Sequence, residues 1–259
     1  MKFTSKILLA LLVILIAGLL SSNIILKKEY DKMDKSDIYW NYEKVLQQPF
    51  KYLNITGGND TRIAFEQSTK YSVRILQEWK RYHNGEIKAH ISNDTLYINF
   101  DFTPSNLYEK FWMRGITAVR IFSPELLSVD GFNTNFEMFK MKQKNMDVKI
   151  TGKSKFEMES MIADLDTLNI SQKDTSEVIF EMSPEFQTTV ITDPNRIGVS
   201  VGSIQQINSD EAMSIKSVNA NLQGNTLLDI GHAQIQSLQL NIADSSGIIL
   251  SGEALKKIK

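Results

Sequence analysis

Hydrophobic and polar positions alternate along most of this chain, and the period of the pattern changes only near its start. From Pro49 onward the period is two, the spacing of a strand with one buried face. Leu53-x-Ile55, Ile63-x-Phe65, Tyr71-x-Val73-x-Ile75, Ile87-x-Ala89-x-Ile91 and Leu96-x-Ile98-x-Phe100 each read as such a strand. Between them stand residues that turn a chain: Thr56-Gly57-Gly58-Asn59-Asp60, Asn84-Gly85 and Asn93-Asp94. Asn84-Gly85 suits a type I′ hairpin, so some antiparallel pairing is expected in this half. Asn106 to Gly115 is the one stretch suited to a helical turn.

The second half carries an internal repeat. Leu165-x-x-Leu168-x-Ile170 is followed by the pair Val178-x-Phe180. Ile215-x-x-Val218-x-Ala220 with Leu228-x-Ile230, and Ile235-x-x-Leu238-x-Leu240 with Ile248-x-Leu250, repeat that spacing without a gap. Phe186-x-x-Thr189-x-Ile191 with Val199-x-Val201 is a weaker fourth copy, and Val148-x-Ile150 with Phe156-x-Met158 reads as an earlier, shorter turn. Copies start about 20 residues apart, except for a longer step between Phe186 and Ile215. Short strands with polar corners at that period predict an all-β fold, a right-handed parallel β-helix (solenoid) with coils of about 20 residues. A β-sandwich explains the alternation but not the fixed internal spacing. The expected division is less regular strands over 49–122 and solenoid repeats over 123–259.

The change of period comes at the N-terminus. Ile7 to Leu20 contains only Leu, Ile, Val, Ala and Gly, and after Ser21-Ser22-Asn23 the run continues through Ile24, Ile25 and Leu26. Counted as 7–26, it has the roughly 20 residues a transmembrane helix needs. Counted to Leu20, it fits the apolar core of a signal peptide, although Ala17 to Ser22 supplies a poor cleavage site. One N-terminal transmembrane helix is the favoured reading, with 1–6 cytoplasmic and 27–48 a charged juxtamembrane spacer. Lys2 and Lys6 precede the span while Lys27, Lys28, Lys32 and Lys35 follow it, so charge bias does not set its direction. Tyr39, Trp40, Tyr42, Phe50 and Tyr52 either sit in the headgroup zone or cap the apolar end of the folded body.

Composition narrows the chemistry. With 29 basic and 30 acidic residues the formal charge is -1, which points away from nucleic acid as a partner. The absence of cysteine removes disulfides, thiolate metal sites, cysteine nucleophiles and a lipidated-cysteine anchor together.

Phe50-x-x-Leu53-x-Ile55, Tyr71-Ser72-Val73-x-Ile75, Leu96-Tyr97-Ile98 and Val119-x-Ile121-x-x-Pro124-x-Leu126-x-x-Val129-x-Gly131, followed by the repeats, stand in an order with a known parallel. It resembles the auto-transporter adhesin, head GIN domain family common in Bacteroidetes, over roughly Pro49 to Ile258. The small-residue turns usual in that family are reduced here to Thr151-Gly152-Lys153-Ser154 and Ser245-Ser246-Gly247. The resemblance implies a secreted or cell-envelope β-helical protein, and it is what places the body outside the cytoplasmic membrane, facing the periplasm.

The chemical motifs are weak. Gly198-Val199-Ser200-Val201-Gly202 matches a nucleophile elbow, with Asp229 and His232 following in triad order, but an elbow needs a strand-to-helix turn that this β pattern lacks. Gly152-Lys153-Ser154 resembles a P-loop ending whose earlier glycine is replaced by Asp147. His83, His90 and His232 have no metal-binding spacing, and Asp164, Asp166, Asp174 and Asp193 form no carboxylate ladder across coils. No catalytic residue, cofactor or metal is therefore assigned. Asp94-Thr95-Leu96 and Asp166-Thr167-Leu168 match a bacterial O-glycosylation sequon. Trp79, Arg81 and Tyr82, beside Asn84-Gly85, and Trp112 and Arg114 combine aromatic and cationic side chains as a candidate ligand or partner surface. Alternatively, one aromatic of each group packs under its loop.

The functional expectation is a non-enzymatic, membrane-anchored cell-envelope β-solenoid, acting as an adhesin-like, scaffolding or ligand-sensing module. Its expected partners are the cytoplasmic membrane, through the N-terminal helix, and an unknown protein or glycan. Uncapped ladder edges at the last coil also invite end-to-end or edge self-association, against which Lys256, Lys257 and Lys259 are placed to guard. The alternatives are a cytoplasmic, membrane-bound, polymerising solenoid like the bactofilins, and a β-helical polysaccharide-active enzyme.

Overall fold

The computed structural model describes residues 3–32, 34, 36–79, 87–101, 116–139, 141–159, 164–181, 213–231, 233–243 and 245–250. The chain divides into two compact units, Met1–Tyr42 and Glu43–Lys259.

The first unit is built on α1 (Phe3–Asp31), which has 29 residues and a mean hydropathy of 2.6 over its most apolar window. At 1.5 Å per residue it is about 43 Å long, more than the roughly 30 Å of bilayer hydrocarbon. The helix outruns the expected span of 7–26. Lys27, Lys28 and Glu29 are sound helix formers, no proline intervenes, and Lys28 in the last turn favours the negative end of the helix dipole. Beyond it, the Asp34 Oδ1 accepts from the Ser36 N–H at 3.0 Å and the Asp37 Oδ1 from the Tyr39 N–H at 3.0 Å. Residues 27–48, read as a spacer, thus contain the end of α1, two aspartate-capped turns and β1 (Tyr42–Leu46).

In the second unit the strands after β1 are β2 (Tyr52–Thr56), β3 (Arg62–Gln67), β4 (Ser72–Leu76), β5 (Ile87–Ser92), β6 (Thr95–Phe100), β7 (Thr117–Ser123), β8 (Ser128–Phe132) and β9 (Asn135–Phe139). They continue as β10 (Lys142–Thr151), β11 (Lys155–Glu159), β12 (Asp164–Gln172), β13 (Glu177–Glu181), β14 (Ser214–Leu222), β15 (Leu227–Asp229), β16 (Gln234–Ile242) and β17 (Gly247–Ile249). Two sheets result, one in the order β1-β4-β7-β3-β9-β11-β13-β15-β17 and the other β16-β14-β12-β10-β8-β2-β6-β5. From β8 onward the chain alternates between the sheets, and each strand pairs parallel with the strand two further along.

The protein is therefore mostly strand, in two mixed sheets, after an N-terminal apolar helix. It departs from a uniform stack of coils in three ways. First, β4 is antiparallel to β7 and β5 is antiparallel to β6. The hairpin between β5 and β6 turns at Asn93 and Asp94, both with positive φ (48° and 58°), as a type I′ turn requires. Asn84-Gly85 joins no hairpin of β4 with β5, because those strands lie in different sheets. Second, β2 and β3 pair between β6/β7 and β8/β9, so stacking order there is not chain order. Third, β12 pairs directly with β14 and β13 with β15. No coil intervenes where the weak copy at Phe186 to Val201 was expected, and that copy lies outside the described residues.

The apolar spacing is what the ladders bring into register. Leu165, Ile215 and Ile235 form one inward column, Leu168, Val218 and Leu238 a second, and Ile170, Ala220 and Leu240 a third. In the facing sheet Phe136, Phe156, Val178, Leu228 and Ile248 align in the same way. The Phe136 and Phe156 rings stack at 5.8 Å between centroids. Outward positions align too. Asn219 donates to the Asn169 Oδ1 (2.8 Å), Asn169 to the Asp147 Oδ1 (2.7 Å) and Asn241 to the Asn221 Oδ1 (3.1 Å), across sequence separations of 50, 22 and 20 residues.

Each corner leading from β8, β10, β12 and β14 to the facing sheet uses a left-handed residue: Asn133 (φ 52°), Gly152 (φ 70°), Asp174 (φ 65°) and Gly224 (φ 82°). A hydroxyl residue follows before the next strand: Thr134, Ser154, Ser176 and Thr226, all buried. Stacked corners leave no room at Gly224, where an added Cβ would lie 2.9 Å from the Asp174 carbonyl oxygen. Gly224→Ala is expected to cost about 2 kcal/mol, from the left-handed backbone and this approach together. Gly247→Ala, whose Cβ would meet only Leu227 Cδ1 at 3.5 Å, is expected to cost a few tenths. Urea midpoints of the two variants measure the difference, and equal midpoints would refute the stacking of these corners.

Candidate functional site

Of the five residues read as a ligand surface, the structure describes Trp79, and it does not face solvent. Arg81, Tyr82, Trp112 and Arg114 lie outside the described residues. Residues 77–79 close as a helical turn after β4, which carries Trp79 beneath the surface with 0% of it exposed. Its ring meets Phe100 edge-on, at 6.1 Å between centroids and 86° between planes. Trp79 is thus buried against Phe100 instead of displayed to solvent.

The other motifs resolve into structure where they are described. In Gly152-Lys153-Ser154 the Gly152 N–H donates to the Asp174 Oδ2 (2.8 Å), the Lys153 N–H to the Asn133 Oδ1 (2.8 Å) and the Ser154 hydroxyl to the Thr151 carbonyl (2.7 Å). These donors serve the corner and leave no phosphate cradle. The Asp229 Oδ1 accepts from the Gly231 N–H at 2.9 Å, while Ser200 and His232 lie outside the described residues. Asp166 pairs with Lys216, and His90 stacks on Tyr97 at 5.0 Å. A pair of acids away from the corners lies within the sheet: Glu137 and Glu157 are register partners. Glu137 pairs with Arg62 at 3.2 Å and Glu157 with Lys155. Only the register brings the two acids together, because they are 20 positions apart in sequence.

The corners of four neighbouring strands, β3, β9, β11 and β13, enclose a groove of about 700 Å³. It begins at Asn59 and Asp60, crosses Thr134 and Asn135, then Lys153 to Lys155, and ends at Thr175 and Glu177. Every lining residue is polar or charged. The backbone donors of these corners are spent between coils: the Lys155 N–H on the Thr134 carbonyl (2.7 Å), the Glu177 N–H on the Ser154 carbonyl (2.9 Å) and the Thr175 N–H on the Gly152 carbonyl (3.2 Å). What the groove presents is side chains. Asn59, Lys153, Thr175 and Glu177 are exposed along it. At its wall the Thr134 Oγ1 and Asn135 Oδ1 are buried without a hydrogen-bond partner. Sequence reading gave no warning of this site, because its corners lie in four separate stretches of chain.

These features define a class, an all-β protein of two mixed sheets behind an apolar N-terminal helix. No family model matches the chain, and no curated protein matches it either. Solved structures do. One, named "Putative lipid binding protein" from Parabacteroides distasonis, is 15% identical with a TM-score of 0.45 and covers 80% of each chain. A second, a "putative adhesin" from Bacteroides fragilis, is 13% identical with a TM-score of 0.43, over 80% of this chain and 95% of that one. A third, a "putative adhesin" from Parabacteroides merdae, is 10% identical with a TM-score of 0.30, over 81% and 95%.

Proposed function

We propose that this chain is a non-enzymatic, membrane-anchored module of the cell envelope, presenting its β body outside the cytoplasmic membrane for adhesion, scaffolding or ligand sensing. In this reading α1 is the anchor, 1–6 stay in the cytoplasm, and the body is a right-handed parallel β-helix whose regular coils begin near 123. The observation that carries it is α1 itself, 29 apolar-rich residues of which none is buried. Apolar surface on that scale is costly in water at about 25 cal/mol per Å², and a bilayer removes the cost. The parallel ladders from β8 to β17 support the β-helix, and the resemblance to the head GIN domain family supports the outside location.

The partners proposed are the membrane, through α1, and a protein or glycan on the body. End-to-end or edge self-association would use β16 and β17, the last strands of their sheets among the described residues, where Ile242 and Ile249 are exposed. Lys256, Lys257 and Lys259 lie outside the described residues.

One observation favours a cytoplasmic, polymerising solenoid instead: the lysines after the span, Lys27, Lys28, Lys32 and Lys35. Fusing alkaline phosphatase or a fluorescent protein to the C-terminus separates the two readings. Active phosphatase with a dark fluorescent fusion is the expected result. A bright fluorescent fusion with inactive phosphatase would reverse the orientation. Recovery of the mature protein without α1, in the soluble fraction, would make α1 a signal peptide.

A further inference from the structure

The corner groove on β3, β9, β11 and β13 has the form of a binding site, and its chemistry selects a ligand class. A lipid or other apolar ligand needs an aliphatic or aromatic wall to lie against. Here hydrocarbon is present only as the stems of polar side chains such as Lys153 and Lys155, each ending in a polar group. A peptide adding as a strand needs free backbone donors and acceptors, but the corner N–H groups of Thr175, Lys155 and Glu177 are already bonded between coils. An anion needs net positive charge. Here Lys153 and Lys155 face Asp60 and Glu177, and Lys155 is held by Glu157. The formal charges cancel.

A long ligand that is neutral, flexible in its hydrogen bonding and rich in hydroxyl groups remains. Asn59, Lys153, Thr175 and Glu177 offer amide, ammonium, hydroxyl and carboxylate groups from the rim, a set that both donates to and accepts from hydroxyls. Four neighbouring strands at about 4.8 Å set the groove length near 14 Å, comparable to about three pyranose rings. The Thr134 Oγ1 and Asn135 Oδ1, buried at the wall without a hydrogen-bond partner, leave two acceptors unsatisfied beside the groove.

We infer that this groove binds a neutral oligosaccharide of about three sugar units, laid along the stacking direction across successive corners. The inference rests on the ligand-binding reading of the body proposed above and assigns it a site and a ligand class. It needs no particular membrane orientation, so the fusion experiment and the binding experiment fail separately.

The test uses the full chain in detergent, applied to a printed array of neutral oligosaccharides of one to five units and followed by calorimetry with the best trisaccharide. Affinity is expected to rise up to three units and then level off. A triple variant, Asn59→Ala with Lys153→Ala and Thr175→Ala, is expected to weaken binding at least tenfold. Its thermal midpoint should stay close to the parent value, because all three side chains are exposed and the bond lost with Thr175, from its hydroxyl to the Gly152 carbonyl, is long at 3.4 Å. Asn221→Ala, on the outward face of the other sheet, should bind as the parent does. Failure of every neutral oligosaccharide on the array overturns the inference. Equal binding by parent and triple variant overturns it too, placing the glycan elsewhere on the body. Preference for an anionic glycan lost in the same variant would overturn the ligand class.

Discussion

Val178→Asp is expected to abolish the native β body or to cut its stability by more than about 5 kcal/mol. Val178 is 0% exposed and stands in its column between Phe156 and Leu228. The substitution removes an apolar side chain worth about 1.5–3 kcal/mol of burial. It also places an unpaired carboxylate where neither water nor a cation reaches it, a cost of several kcal/mol. Glu177→Asp, one residue earlier and pointing outward, is expected to stay within about 0.5 kcal/mol. Circular dichroism and urea unfolding of the two full-length variants measure the contrast. Small and equal effects at both positions would show that the inward register of β13 is wrong.

Trp79→Ala carries the second large effect, a loss of about 3–5 kcal/mol from deleting a buried aromatic. The cavity would open beside Phe100, whose edge-on contact is lost at the same time. The measurement also decides how the Trp79 neighbourhood is used. A packing tryptophan lowers the unfolding midpoint when truncated. A surface tryptophan that contacts a ligand leaves the midpoint in place and changes binding alone. A loss of stability of less than about 1 kcal/mol would return Trp79 to the candidate ligand residues.

The two tryptophan readings illustrate what a linear pattern can carry. Trp79-Lys80-Arg81-Tyr82-His83 has the composition of a recognition surface, and composition alone cannot say that a helical turn buries its first residue. The inward rows behaved differently. Leu168 and Ile170 predict their own burial because period two assigns every second side chain to one face, and a one-residue slip would expose both. Leu165, three positions before Leu168, is buried outside that alternation, where the ladder is interrupted at Asp166. The repeat spacing likewise carried register: Ile215 pairs with Ile235 and Leu228 with Ile248, as the matching patterns imply. The spacing at Phe186 to Val201 matches a coil in pattern, yet β12 pairs directly with β14, and those residues lie outside the described ones. Hydrophobic spacing states which face is apolar, and it does not state which neighbour covers it.

The groove marks the limit most clearly. Asn59, Asn135, Lys153 and Thr175 belong to four distant segments, each an ordinary polar turn by itself. They form one wall only after the strands stack at about 4.8 Å and the left-handed corner residues align. The same holds for Glu137 and Glu157, adjacent through the ladder and unremarked in the chain. Sequence by itself determined the apolar helix, the strand periodicity, the inward columns and the turn-forming corners, because each depends on residues within a few positions of one another. Tertiary structure alone decided the mixed pairing at β4 and β5, the place of β2 and β3 in the stack, the burial of Trp79 and the assembly of the groove. Those outcomes depend on which distant strands compete for the same edges, a choice set by packing across the whole body and written in no local pattern.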